Sequence, residues 1–317
     1  MAIARELLPA GRQPLVDRAE VRSGGLDATP ERVREVVRGA DALVADPAVP
    51  VDAALLETAG PNLRVVANFA VGYDNVDLEA CRDRGIFVTN TPDVLTNATA
   101  ELALALTLAA ARRLSEAERD LRGGRWRGWD PAAYRGLELT GSTVGVVGMG
   151  RIGSRYAELT SGFGVRVLYA SPSPKRDTER RVDATRVRLE ELLERSDVVS
   201  LHAPANPRTH HLIDAAALRR MKSHAVLVNT SRGALVDLGV LAAALLEGRL
   251  GAAGLDVYEG EPHVPMEILD APRTVLAPHI GSATVRARDA MARTVAENVI
   301  AVLDGRDPPN LVANPRD

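Results

Sequence analysis

The chain contains a single cysteine, Cys81, in 317 residues. No intramolecular disulfide can form, and the composition does not require an oxidising compartment. Aromatic residues are scarce, at 3%. A core must then be built from Leu, Val, Ile and Ala, which suits strands buried on both faces and close helix packing. There is no excess of one charge. The formal net charge is −3 with both signs interspersed, which excludes the basic footprint of nucleic-acid binding. Long apolar runs are also missing. The most apolar helical stretch, ELALALTLAAARR, falls far short of the ~20 residues a spanning helix needs. The opening MAIARELLPAG lacks the apolar centre of a secretory signal. The expectation is a soluble, cytoplasmic protein with no membrane and no nucleic-acid partner.

The length suits about two domains of ~100–200 residues each. A hydrophobic fraction of 46% and a charged fraction of 26% are those of a globular protein. Short β-branched runs alternate with longer amphipathic ones, the pattern of βαβ units around a parallel sheet. Strands are expected at 42–45, 64–68 and 87–89, and helices at 30–38 and 52–58. Thr29 caps the first of these helices, with Pro30 at its opening position. A long helix is read over 99–121, followed by the breaker-rich RGGRWRGWDP, which marks a boundary and a protruding arm. A second array follows, with strands at 143–147, 165–169, 197–201, 225–229, 252–256 and 274–277. The segment 171–177, SPSPKRD, reads as a polar loop. The final helix, 284–303, is placed to return to the first domain. Cys81, in LEACRDRG, reads as the buried side of a short helix rather than a nucleophile.

The sequence STVGVVGMGRIGSRYAEL places Gly148, Gly150 and Gly153 in the order G-x-G-x-x-G. The pattern alone is weak. Here it leaves a strand and opens a helix that begins with Arg151 and Ile152, and that context makes it a dinucleotide-binding signature. The glycines permit a tight turn, backbone approach to a pyrophosphate, and close packing of helix on sheet. The helix N-terminus then holds the anion. An NAD-binding unit ordinarily ends its next strand in Asp or Glu, which bonds the ribose hydroxyls. This chain has Ser171 there, with Lys175 and Arg176 nearby. A hydroxyl beside cations accepts a 2′-phosphate that a carboxylate would repel. NADP(H) is therefore the expected cofactor, with NAD(H) second.

In an open α/β sheet, ligands sit at the carboxyl ends of the strands. Arg232 falls just past one expected strand, Asp256 ends another with Glu261 in the following loop, and His279 follows the last. These types suit a 2-keto acid. A guanidinium can grip its carboxylate or carbonyl oxygen. An imidazolium can protonate the carbonyl oxygen as hydride reaches carbon 2. A neighbouring carboxylate orients that imidazole. His202, His210, His211, His224 and His263 form no local metal motif, so no metal is assigned.

Several stretches together carry a family resemblance: NFAVGYDNVDLEACRDRGIFVTNTPDVLTNATAELALAL, STVGVVGMGRIGS, VNTSRGALVD, AGLDVYEGEP and APHIGSAT. Over nearly its whole length the chain resembles the D-isomer-specific 2-hydroxyacid dehydrogenases. Within that family it is most similar to the glyoxylate/hydroxypyruvate reductases. The resemblance implies an α/β fold of two Rossmann-like, doubly wound domains. A dinucleotide-binding domain, 99–285, is inserted into a discontinuous substrate domain, 1–98 and 286–317. It implies Arg232, Glu261 and His279 as the catalytic set, Thr230 and Asp256 at the cofactor, and the backbone N–H groups of Val71 and Gly72 on the substrate carboxylate. It further implies a homodimer paired through the cofactor domain and its arm, with Trp129 able to reach the partner's site. The strand in MAIAR is short, and fraying is expected there. Phosphite dehydrogenases are similar too, but they carry a Lys in the segment matching AVGYDN, which this chain lacks. Other D-2-hydroxyacid dehydrogenases, and nucleotide-sensing corepressors of the same fold, stay open at this stage.

Overall fold

The computed structural model describes residues 1–314. Contacts divide the chain into two compact units: Met1–Leu95 with the chain from Ser282 onward, and Thr96–Gly281. The crossings fall a few residues before the 98/99 and 285/286 positions read from the sequence. No helix of the described residues is long and apolar enough to cross a membrane.

The first unit opens with β1 (Ala2–Ile3), β2 (Arg22–Ser23), β3 (Ala42–Ala45), β4 (Val65–Asn68) and β5 (Phe87–Thr89). The second holds β6 (Thr143–Val147), β7 (Arg166–Ala170), β8 (Thr185–Arg186), β9 (Val198–Leu201), β10 (Val226–Asn229), β11 (Ala252–Leu255) and β12 (Thr274–Leu276). The chain then returns to the first unit for β13 (Leu311–Ala313).

The first sheet has the order β13-β5-β4-β3-β1-β2 and is parallel except for β13, which runs antiparallel to β5. Every residue of β3 and β4 is buried, as expected of strands covered on both faces. Alternate residues point to opposite faces. Leu43, Ala45 and Val66 pack with Val33, Leu55, Leu56 and Cys81 on one side. Ala42, Val44 and Val65 pack on the other with Val295, Val299 and Val302 of the final helix, Val285–Leu303. Cys81 lies on a short helix, Leu78–Asp83, and is fully buried. Burial pushes its thiol up to about 12. β1 is short but does not fray. It pairs with β3 on one side and β2 on the other, and Ala2 and Ile3 are buried. Neighbours on both sides compensate for its length.

The second sheet, β12-β11-β10-β9-β6-β7-β8, is parallel throughout. The order reverses between β6 and β9, which makes the switch point where such sheets bind ligands. The expected helix over 99–121 is two helices, Thr96–Ala111 and Leu114–Arg122. Arg113 breaks them at φ 53°, and its guanidinium grips Glu116 through two hydrogen bonds of 2.9 and 2.6 Å. Neither Gly nor Pro signals this break. The first helix packs under the sheet, where Gly254 of β11 admits Leu106. The second buries none of its residues. The expected loop 171–177 is also corrected: Lys175 is the N-cap and Arg176 the first residue of a helix, Arg176–Val182.

Candidate active site

The β6-to-helix turn is built for a phosphate. Gly148 has φ 92°, and a Cβ there would lie 2.7 Å from the backbone of His202 and Ala203. A Cβ on Gly153 would sit 2.1 Å from the Gly148 carbonyl oxygen. Any side chain would therefore push the helix Arg151–Ser161, which includes Ile152, off its strand. Above Gly150 the space is open, and no side chain caps the helix. An uncapped helix N-terminus facing open space fits a dinucleotide pyrophosphate.

The end of β7 carries Ser171 at the mouth of a cavity of ≈ 630 Å³. Arg186 and Arg188 also line it. The Arg186 guanidinium donates to the Ser171 carbonyl at 3.1 and 2.9 Å and to the Pro172 carbonyl at 2.8 Å. Lys175 donates its backbone N–H to the Tyr169 hydroxyl, 2.9 Å away, and Arg176 pairs with Glu179 at 3.1 Å. Sequence reasoning missed Arg186 and Arg188. Their cationic pattern was visible, but their place beside Ser171 depends on β8 pairing with β7.

At the carboxyl ends of β10, β11 and β12, five predicted residues lie in connected loops: Thr230, Arg232, Asp256, Glu261 and His279. Asn229, the last residue of β10, donates its side-chain N–H to the Arg232 carbonyl at 2.8 Å and accepts from Ser231 N–H at 3.0 Å. This clasp fixes the turn that presents Arg232. Thr230 is buried, and among the described residues its hydroxyl has no hydrogen-bond partner. Gly233 then passes against the next loop: a Cβ there would lie 1.9 Å from Tyr258 C and 2.1 Å from Glu259 N.

Asp256 is fully buried. Its two oxygens accept the N–H groups of Ile280 at 2.7 Å and Gly281 at 2.8 Å, and its carbonyl accepts from His279 N–H at 2.8 Å. Burial raises its carboxyl above the ordinary range, against those hydrogen bonds. Asp256 thus shapes the loop that carries His279, which sits at φ 55°. Nδ1 of His279 lies 2.7 Å from Glu261 Oε2. The other Glu261 oxygen accepts Tyr258 N–H at 2.8 Å. Burial works against the charge on Glu261, but the bonds from His279 and Tyr258 prevail and hold its carboxyl below the ordinary range. With Nδ1 engaged, Nε2 is the nitrogen His279 has left for proton exchange.

Other predicted residues lie elsewhere. Val71 and Gly72, in the first unit, follow β4. Their carbonyls are held by side-chain N–H groups of Asn90 at 2.7 Å and Asn68 at 2.8 Å. Among the described residues neither N–H has a protein acceptor. Trp129 is 86% exposed on the arm after Leu114–Arg122. Of the remaining histidines, His224 pairs with Asp197 at 2.9 Å and the His202 ring bonds Ser200 at 2.9 Å. His210 and His211 meet at Glu259, a convergence that no local motif announces.

Comparison with known proteins shows the family. The model of the D-isomer specific 2-hydroxyacid dehydrogenase, NAD binding domain, matches residues 104–281. The chain is 50% identical over 286 residues to a glyoxylate reductase of Thermococcus litoralis, covering 89% of this chain and 85% of that protein. A solved structure of a Thermus thermophilus protein superposes with a TM-score of 0.91 at 44% identity, covering 98% and 99% of the two chains. An NADPH-dependent glyoxylate/hydroxypyruvate reductase from Sinorhizobium meliloti, in complex with NADP and malonate, superposes with a TM-score of 0.86 at 33% identity, covering 98% and 96%.

Proposed function

The chain belongs to the D-isomer specific 2-hydroxyacid dehydrogenases, and on that ground we propose that it reduces glyoxylate and hydroxypyruvate to the 2-hydroxy acids, with NADPH preferred. The observation that carries the reading is the 2.7 Å pairing of His279 with Glu261, one loop from Arg232 and in the same unit as the phosphate turn. When bound at that turn, the reduced nicotinamide supplies hydride to carbon 2 of the keto acid.

The residues do the rest. Arg232 offers a forked set of donors to the substrate's carboxylate or carbonyl oxygen. His279 donates the Nε2 proton to the carbonyl oxygen as charge builds there, so the carbonyl becomes a hydroxyl and the imidazole is left neutral, to be reprotonated from water. Glu261 orients the ring through its 2.7 Å contact with Nδ1. Asp256 positions the His279 loop, and Thr230 borders the cofactor. In the oxidative direction His279 takes the proton back.

NADPH preference is supported by Ser171 where a carboxylate would repel the 2′-phosphate, by Arg186 and Arg188 lining the same cavity with Lys175 and Arg176 a few residues on in sequence, and by the NADP bound in the Sinorhizobium relative. A homodimer through the arm is supported by its exposed apolar surface. Leu114, Leu121, Trp126 and Trp129, close in sequence, are each more than half exposed, and exposed apolar side chains that gather into a patch mark interaction sites. The test is an initial-rate panel of glyoxylate, hydroxypyruvate and bulkier 2-keto acids against NADPH and NADH. The small acids with NADPH should give the highest kcat/KM. Failure to oxidise either cofactor with either small acid would overturn the proposal.

A further inference from the structure

Two histidines adjacent in sequence turn their rings to one carboxylate. His210 and His211 stack with ring centroids 4.0 Å apart. Nε2 of His210 lies 3.0 Å from Glu259 Oε1, and Nε2 of His211 lies 2.7 Å from Oε2. Consecutive side chains ordinarily diverge, in helix and strand alike. These converge because His211 adopts φ 47°, a left-handed conformation that side chains disfavour. The conformation is held from outside: His211 N–H donates to the Ala234 carbonyl at 2.8 Å, and Ile213 bridges Val236. Folding stability does not explain the cluster. The side chains of His210, His211 and Glu259 are 54%, 34% and 43% exposed, so water would solvate all three.

We propose that His210 Nε2, His211 Nε2 and a Glu259 oxygen bind a zinc-class divalent transition metal. One donor atom from each residue lies within 4.8 Å of the others. Metal bonds of ~2.0–2.2 Å place tetrahedral ligands roughly 3.3 Å apart, so from a spacing within 4.8 Å the three exposed side chains close on an ion by shifts of at most about 1.5 Å. Two imidazoles and one carboxylate suit zinc, nickel or copper, whereas magnesium and calcium take oxygen ligands. Three protein ligands leave the remaining position to water, and the exposure of the cluster provides it. A second carboxylate lies near the outer ring nitrogen, about one ångström too far for the hydrogen bond that commonly supports a metal-bound histidine. Asp237 Oδ2 is 4.0 Å from His211 Nδ1, the nitrogen that keeps its proton when Nε2 ligates.

The site is separate from the Glu261–His279 pair but shares its loop. Glu259 precedes Gly260 and Glu261, and its backbone N–H lies against Gly233. An ion here ties the loop carrying Glu261 to the 210–211 segment.

The test uses chelator-treated full-length protein titrated with cobalt(II), followed by its visible ligand-field absorption, then displaced by zinc and measured by calorimetry. One equivalent per chain should bind. His210→Ala and Glu259→Gln should each weaken it by more than about tenfold. His211→Asn, which keeps a residue tolerant of positive φ, should do the same. His279→Ala and His224→Ala should bind as the unsubstituted protein does. Hydrogen exchange of the 256–261 amides should slow when zinc is bound. Absence of saturable binding, or binding unchanged in His210→Ala and Glu259→Gln, would refute the site. Loss in His279→Ala instead would place the ion at the catalytic pair and equally refute it. Each variant is checked for its thermal transition, and the exposure of all three ligands makes a folding failure in all of them untenable as an explanation.

Discussion

Gly233→Ala is the sharpest perturbation the structure offers. Gly233 does not have a positive φ, so alanine meets no backbone strain there. The whole cost comes from contact. The new Cβ would lie 1.9 Å from Tyr258 C, 2.1 Å from Glu259 N and 2.2 Å from the Tyr258 carbonyl oxygen. All three are backbone atoms and cannot rotate away. Restoring van der Waals contact requires the two loops to part by roughly 1.5 Å. Overpacking of this kind costs about 1–3 kcal/mol of stability. The kinetic cost is comparable, because one loop carries Arg232 and the other Glu261, and a misplacement of about 1 Å can cost on the order of a hundredfold in rate, about 2.7 kcal/mol. The assay is kcat/KM for glyoxylate with NADPH, alongside cofactor binding by fluorescence and stability by urea unfolding. Cofactor binding should be kept, since the phosphate turn is built from Gly148, Gly150 and Gly153. Gly239→Ala is the control. Its Cβ would meet only an Asp237 side-chain oxygen at 3.6 Å, and it lies in the helix Leu238–Leu246, where alanine should gain about 0.5–1 kcal/mol. If Gly233→Ala kept kcat/KM within a factor of two and its stability unchanged, the claim that the Arg232 and Glu261 loops position each other would be refuted.

Three further outcomes follow from the same geometry. His279→Ala should lower kcat by about 10²–10⁴-fold while cofactor affinity is retained; equal losses in both would indicate a folding role instead. Ser171→Asp should move the ratio of kcat/KM for NADPH over NADH towards NADH, and an unchanged ratio would count against the 2′-phosphate reading of that strand end. Asp197 is held down to about 2: burial opposes its charge, but Lys222, His224 and the Thr143 N–H outweigh it. Its folded value lies below the unfolded one, so the contribution, about 2 kcal/mol, is present at neutral pH and lost as pH falls from about 4 towards 2. Asp197→Asn should therefore be destabilised by about that amount at pH 7 in urea unfolding, with the gap closing in acid. A gap that stayed constant across that range would rule out the charge as its source.

Much of the molecule was legible in the residues because the deciding physics is local. Gly148 and Gly153 announce a turn that only glycine can make. The runs in β3, β4 and β6 are apolar on both faces, so they read as buried parallel strands without knowledge of their neighbours. Arg232, Glu261 and His279 could be proposed from the sequence because each follows a strand, and open α/β sheets bind ligands at the carboxyl ends of their strands. The order of the strands and the meeting of loops were settled only by the tertiary structure. β1 is held between two neighbours that its own length does not reveal. Arg113 breaks a helix through a grip on Glu116, with no breaker residue to mark it. Arg186 reaches Ser171 because β8 pairs with β7. Both oxygens of Asp256 are committed to the Ile280 and Gly281 N–H groups. His210 and His211 find Glu259 48 to 49 residues away. Backbone preference and burial pattern are written residue by residue, whereas a contact between distant residues exists only after the sheet has chosen its neighbours.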